Sequence, residues 1–318
     1  MPVRPLAALL SPAGPRARLS ILIFHRVLRQ PDPLFPDEAD ARRFDRVCGW
    51  VRRWFQVLPL DEGVRRLAEG RLPARALSIT FDDGYEDNFS VALPILQRHG
   101  LSATFFVATG FLDGGCMWND RIIESIRATS LPALDLADIG HADFGMHATG
   151  DDASRRAAID AIVPRAKYLP TQQRLDFSRR VAELAQVPAP TGLMMSSQQV
   201  RGLHEAGMQI GAHTVNHPIL ARLAAADAVR EIGDSKRQLE SITRAPVTLF
   251  AYPNGRHGDD YDDASVALVR DSGFEAAVAT TWGAARRDSD RFQLPRFTPW
   301  DRSRLRFGAR LAGNLLRR

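Results

Sequence analysis

Short apolar runs alternate along this chain with stretches in which apolar side chains return at helical spacing. The runs occupy residues 21–25, 55–58, 76–81, 103–108, 208–213, 247–252, 275–279 and 292–297, and β-branched or aromatic residues occur in each of them. Such runs read as strands buried on both faces, the kind found in parallel sheets. Between them, Phe44, Val47, Val51 and Trp54 mark one face of a helix over 39–54. Further helices are expected at 61–69 capped by Asp61, at 89–98 stopped by Gly100, at 227–243 and at 262–272. Ser196 and Gln199 form a capping-box pair that opens a helix ending at Gly207. Strands alternating with helices make an α/β fold with a parallel sheet inside, and seven or eight such units predict a distorted (β/α) seven- or eight-stranded barrel.

The alternation breaks between residues 113 and 190. Trp118-Asn119-Asp120-Arg121 opens a helix there, and the polar, Ala-rich segments that follow contain no convincing strand. This stretch is expected to be a helical insertion on a barrel loop, forming a lid or one wall of a cleft. The chain thus divides into a leader (1–18), a barrel domain (19–300) carrying the insertion (113–190), and a basic tail (301–318).

With 45% apolar and 25% charged residues, the 318-residue chain has the composition of an ordinary globular protein. Its net charge of +5 favours acidic partners such as phosphates or anionic lipid. No nucleic-acid motif accompanies the charge, so nucleic acid is not an expected partner. Cys48 and Cys116 cannot make a disulfide framework and lack zinc-finger spacing; both are expected to be buried packing residues. No stretch approaches the roughly 18 apolar residues of a membrane span. The apolar run at 6–10 is too short for a signal-peptide core, and the expected location is the cytoplasm. In the tail, Arg302, Arg304, Arg306, Arg310, Arg317 and Arg318 interleave with leucines and Phe307. Two readings stay open for it: peripheral contact with an anionic membrane surface at the inner membrane, or packing of a final helix on the barrel.

Candidate chemistry gathers at the ends of the expected strands. In barrels of this kind functional side chains sit at the C-terminal strand ends, and His25, Asp82, Asp83 and His213 all fall there. Asp82 and Asp83 repel each other unless a cation or a proton is shared. Successive strand side chains point opposite ways, so the two carboxylates are expected to do different jobs. His213 and His217 stand four residues apart, and a helical turn after the strand lets both rings hold one metal. Two histidines and one carboxylate leave positions open for water and substrate, the pattern of a hydrolytic metal site.

Thr80-Phe81-Asp82-Asp83-Gly84 followed by His213-Thr214-Val215-Asn216-His217 resembles the polysaccharide deacetylase family (the NodB-homology domain), in its exopolysaccharide-modifying branch. The resemblance covers most of the chain apart from the insertion. It implies a distorted (β/α) barrel that removes N- or O-acetyl groups from sugars. It also implies Asp82 as general base, with Asp83, His213 and His217 as ligands of a divalent metal. Zinc is the first expectation for that metal; cobalt, nickel or iron also suit the donor set.

The chain departs from the family pattern twice. Where the third motif usually carries Arg-x-Pro-Tyr, Ala251 and Asn254 stand at the Arg and Tyr places. Asp82 then needs another cation to orient it, with Arg296 and Arg26 as candidates. The late motif that usually supplies a general-acid histidine reads Leu294-Pro295-Arg296-Phe297. His25 is expected to take that role, because the first and last strands of a closed barrel are neighbours, and exopolysaccharide-modifying members look similar in starting with a Tyr/Phe-His-Arg segment. Tyr252, Pro253, Asn254, Trp118 and Arg296 are expected to contact substrate. The expected activity is metal-dependent removal of acetyl groups from N-acetylated sugars of an exopolysaccharide or its lipid-linked precursor. The alternatives are a deformylase or other amide hydrolase on a lipid-linked aminosugar, and a catalytically silent carbohydrate-binding barrel.

Overall fold

The computed structural model describes residues 3–317; Met1 and Pro2 of the leader and Arg318 of the tail lie outside the described residues. The chain separates into two units, one of Met1–Gln30, Asp37–Asp113 and Met195–Arg318, the other of Pro31–Pro36 and Gly114–Met194.

The first unit is built on six parallel strands: β1 (Leu19–Phe24), β2 (Ala76–Phe81), β3 (Thr104–Val107), β4 (Gln209–Ala212), β5 (Leu249–Ala251) and β6 (Ala276–Val278). They lie side by side in chain order, with the two-residue strand Gln56–Val57 added beside β2. The last expected strand, 292–297, is not a regular strand. It bridges the two edges of the curled sheet instead: Leu294 N donates to Ala277 O (3.0 Å) and Phe297 N donates to Ile21 O (2.8 Å). The α/β architecture of a distorted barrel follows, its sheet seven-stranded with the short strand Gln56–Val57 counted beside the six longer ones.

Side-chain alternation along these strands makes two cores. Ile21, Ala76, Phe106, Leu249, Ala251 and Val278 fill the inside of the curl. Leu22, Phe24, Leu77, Ile79, Phe81 and Phe105 face outward beneath the helices. Burial on both faces is why the strands read as continuous apolar runs. Phe24, Phe81 and Phe105 stack across β1, β2 and β3, with centroids 5.3 and 4.7 Å apart. That outward stack fixes the ends of the strands whose next residues are His25 and Asp82.

The residues expected as leader and tail form the helices Val3–Leu10 and Arg304–Leu316, and Val3, Ala7, Phe307 and Leu311 join the outer core. Helix Leu60–Ala68 starts after Pro59, so Asp61 sits in its first turn rather than at its cap. Among the described residues, no helix is long and apolar enough to cross a membrane.

The second unit has its own core of Ile122, Ile126, Ile159, Ile162, Phe177 and Val181, contributed by helices Trp118–Ala128, Asp152–Ala166 and Thr171–Leu184. A strand was not expected in it, yet Ala133–Asp135 and Met146–Ala148 pair as an antiparallel ribbon. At three residues each, these strands are too short to leave a period-two signature in the sequence.

Candidate metal centre and active site

Thr80 and Asp82 lie on the inward side of β2 and its end, opposite Phe81, and both meet Arg296. The guanidinium grips Asp82 through two bonds of 2.7 Å, from Nη1 to Oδ1 and from Nη2 to Oδ2, and Nη1 also donates to Thr80 Oγ1 (3.2 Å). Nε is bound to Ala279 O (2.8 Å). Burial opposes a charged Asp82, but Arg296 and then His213 outweigh it and hold the carboxyl below its ordinary range. Arg296 is therefore the cation that orients Asp82. Its expected contact with substrate is corrected, because its side chain is fully buried and its fork is occupied. Arg26, the other candidate, is ion-paired with Asp87 at 2.8 Å.

Asp83 points the other way. Its backbone is left-handed, as is that of Gly84 (φ +75° and +91°), and Ala108 N donates to Asp83 O (3.1 Å). A Cβ on Gly84 would come within 3.0 Å of Val107 Cγ1, so this turn needs glycine for space as well as for φ.

His213 follows β4, and its Nδ1 is hydrogen-bonded to Ala251 O (2.7 Å), which leaves Nε2 to face Asp83. The chain does not turn helically after it, contrary to the sequence expectation. Thr214 and His217 take left-handed backbones (φ +64° and +51°), and Thr214 Oγ1 accepts from His217 N (3.1 Å). Glu231 clamps the intervening loop, accepting from Val215 N (2.9 Å), Asn216 N (2.8 Å) and Asn216 Nδ2 (2.7 Å). The two imidazoles end with ring centroids 4.8 Å apart.

Asp83 Oδ1 lies 3.4 Å from His213 Nε2 and 3.5 Å from His217 Nε2. These separations exceed good hydrogen bonds, and Asp83 Oδ1 is buried with no hydrogen-bond partner. Two donors on one tetrahedral zinc, each about 2.0–2.1 Å from the ion, stand about 3.3 Å apart. The three residues thus fit a divalent cation better than they satisfy one another. Asp83 and His217 are already in the protonation states that a cation requires, whereas His213 must give up a proton to bind one. Burial disfavours a charged Asp83, yet His213 and His217 more than offset it and keep the carboxyl well below its usual range. Burial pushes His217 down to about 4, a neutral ring at physiological pH. His213 is also opposed by burial, but Asp83 and then Asp82 raise it above the ordinary imidazole value.

His25 is exposed at the end of β1, the strand paired in parallel with β2, whose end carries Asp82 and Asp83. Two residues missed from the sequence hold it there. Asn88 Nδ2 donates to His25 O (2.9 Å), and Asp87 accepts from Val27 N (3.0 Å) while pairing with Arg26. The polar run Glu86-Asp87-Asn88, one residue after the Asp-Asp-Gly turn and with Asp87 and Asn88 buried, was the available signal. Glu231 and the Ala251 carbonyl were also missed, and neither carries a local motif.

The remaining expected substrate contacts separate. Tyr252 is fully buried, stacked on Tyr261 with centroids 3.9 Å apart, and Pro253 is buried too. Both are packing residues, which corrects their expected contact with substrate. Asn254 is half-buried with a left-handed backbone (φ +60°), and its carbonyl accepts from Thr280 Oγ1 (2.9 Å). Trp118 belongs to the second unit, where it is 7% exposed and its ring is covered by the Arg174 guanidinium at 5.1 Å. That packing corrects its expected contact with substrate.

The polysaccharide deacetylase family model matches residues 69–149 and 165–277, more than half of the chain. A curated relative, YxkH of Bacillus subtilis (strain 168), itself assigned provisionally to the polysaccharide deacetylases, is 21% identical over 282 residues, spanning 88% of this chain and 71% of the relative. Among solved structures, the Streptococcus pyogenes deacetylase PplD in complex with acetate superposes with a TM-score of 0.58 at 21% identity, covering 89% of this chain and 92% of its own. IcaB from Ammonifex degensii gives 0.59 at 16% identity, covering 96% and 99%. The BpsB deacetylase domain from Bordetella bronchiseptica gives 0.56 at 16%, covering 88% and 95%. At these identities the superpositions speak for a shared fold. His25 and Arg296 fall outside the residues matched by the family model, whereas Asp82, Asp83, His213 and His217 fall within them, and the chain belongs to the polysaccharide deacetylase family, hydrolases of the carbohydrate esterase type.

Proposed function

We propose that this deacetylase is metal-dependent and removes the acetyl group from an N-acetylated sugar of an exopolysaccharide or its lipid-linked precursor. The observation that carries the reading is the orphaned, buried Asp83 Oδ1 set 3.4 and 3.5 Å from two imidazole nitrogens, beside a second carboxylate locked to arginine. Asp83, His213 and His217 would hold the cation. A divalent metal there supplies Lewis-acid polarisation of the acetyl carbonyl and a water whose pKa falls toward about 7.

Asp82 accepts a proton from the attacking water as general base. Arg296 keeps it ionised and aimed, and a carboxylate has lone pairs left for the water after binding a guanidinium fork. His25 delivers a proton to the departing amine, since an amine leaves as a neutral group only when protonated. Its exposed ring and pinned backbone suit a group that must meet both substrate and solvent. Asn254 is the one residue of the altered third motif proposed to touch the sugar.

The test is acetate release from N-acetylglucosamine oligomers by metal-reconstituted protein, beside chelator-treated protein, Asp82→Asn and His25→Ala. Release that needs the metal, vanishes in Asp82→Asn and drops in His25→Ala is the expected result. Release that survives complete removal of the metal would refute metal dependence.

A further inference from the structure

The sheet has a second polar end. β1 begins at Leu19, about 20 Å of strand away from His25, and the residues before it include Arg16 and Arg18. Leu19 and Ala285 exchange backbone hydrogen bonds, each 2.9 Å, which brings Arg286 and Arg287 alongside. The four arginines line a cavity of about 610 Å³ with Pro15, Ala17 and Asp288. Asp288 is exposed and is the one carboxylate in that lining. Among the described residues, none of the four guanidiniums is ion-paired.

The cluster is held rather than merely crowded. Ser11 Oγ accepts from Arg18 N (2.9 Å) and donates to Arg18 O (3.0 Å). Arg286 N donates to Ser289 Oγ (2.9 Å), and Arg286 Nη2 donates to Arg317 O (3.0 Å). Arg18 Nη1 and Arg286 Nε are buried without a hydrogen-bond partner. Burial and then the charge of Arg286 push Arg18 below its ordinary value. Four guanidiniums outnumber the single carboxylate of Asp288, and like charges fixed together in excess raise the energy of the folded state. A bound anion relieves that repulsion, and planar guanidiniums match the tetrahedral oxygens of phosphate through paired N–H donors.

We propose that this arginine-lined cavity is a binding site for a phosphate group, carried either by a free phosphate or pyrophosphate anion or by the headgroup of an anionic phospholipid. The surroundings make both sources accessible. Helix Val3–Leu10 ends at Ser11 beside Arg18, and helix Arg304–Leu316 ends at Arg317 beside Arg286. Their last turns expose Leu9 (77%) and Leu316 (61%), apolar residues placed to enter a lipid surface.

The experiment measures binding of inorganic phosphate and pyrophosphate by calorimetry at low ionic strength, and sedimentation of the protein with phosphatidylglycerol or phosphatidylcholine vesicles. Wild type is compared with Arg16→Gln/Arg287→Gln, whose side chains are exposed, with Arg18→Gln/Arg286→Gln, and with Leu9→Ser/Leu316→Ser. Thermal melts check that each variant is folded. Loss of charge-assisted hydrogen bonds should weaken binding by about tenfold or more in both arginine pairs. Binding of the free anions, untouched by the leucine changes, identifies a soluble ligand. Binding to phosphatidylglycerol vesicles only, weakened by the leucine changes as well, identifies a headgroup. Failure of wild type to bind either source, or equal binding by wild type and a folded arginine pair, overturns the proposal.

Discussion

Asp82 and Asp83 are consecutive carboxylates with opposite surroundings, and the difference comes from one arginine. Arg296 neutralises Asp82 inside the curl of the sheet, leaving Asp83 to face two imidazoles. Removing Arg296 strands a buried charge, so Arg296→Met should destabilise the fold by about 3–5 kcal/mol, read by chemical denaturation. The sign of the pH effect follows from the lowered pKa of Asp82. The pair stabilises the fold above the unfolded carboxylate value and stops doing so as pH falls through the lower folded value. Without Arg296, Asp82 titrates higher, and the acid limb of kcat/KM should move to higher pH. Arg296→Lys keeps a charge without the fork and should shift it less. An acid limb unmoved in Arg296→Met would remove Asp82 from the role of base. At the neighbouring cluster, protons compete with the cation for His213, whose pKa lies above the ordinary imidazole value. Metal affinity should therefore fall as pH is lowered through that range, with a proton released per ion bound. Calorimetric titrations in buffers of different ionisation enthalpy count that proton.

The site stands on loops at the C-terminal ends of β1, β2, β4 and β5, and four of its non-glycine residues hold left-handed backbones: Asp83, Thr214, His217 and Asn254. Such conformations cost about 1–3 kcal/mol each and persist where surroundings over-determine them. For the histidine loop that surrounding is Glu231, reaching from helix Ala225–Thr243 with three hydrogen bonds. Glu231→Gln should loosen the loop and weaken metal binding by about tenfold, the lower end for loss of supporting contacts around a metal ligand. A zinc competition assay would show it, and unchanged affinity would mean the strained loop holds without its clamp. This element also marks where the sequence stopped being readable. The strands were legible because burial on both faces leaves continuous apolar runs, and the pairing of Asp82-Asp83 with His213 and His217 was legible because motif residues sit at strand ends. The loop was misread as helical because a four-residue spacing satisfies helical geometry, while nothing in Thr214 or His217 announces a positive φ. Tyr252 and Trp118 were misread for a related reason: an aromatic near a motif looks the same in sequence whether its face is open or packed. Arg296 was legible as a cation for Asp82, since a missing charge must be replaced from somewhere in the fold.

Every residue of the proposed chemistry belongs to one of the two units: His25, Asp82, Asp83, His213, His217 and Arg296 all lie in the barrel. The second unit has a separate core, and most of it enters the chain between Asp113 and Met195. Those two stems meet. Asp113 N donates to Met195 O (3.2 Å), and the Asp113 carboxylate accepts from Ser197 N (2.8 Å) and Ser197 Oγ (2.6 Å). Met195 N in turn donates to Gly84 O (3.0 Å), so the stem is tied to the Asp-Asp-Gly turn itself. Because the ends are already in hydrogen-bonding contact, replacing residues 114–194 with a few Gly and Ser residues closes a short loop at little extra entropic cost. The shortened protein should unfold cooperatively and bind one divalent cation with near wild-type affinity, since no ligand or supporting contact named above is removed. Breaking the stem by Asp113→Ala in the full chain should do more damage to metal affinity than the deletion, because it frees the segment that holds Gly84. The comparison needs only melts and metal titrations on three proteins. If the deletion abolishes metal binding while the protein still melts cooperatively, the second unit has a part in shaping the metal centre that its separate core does not reveal.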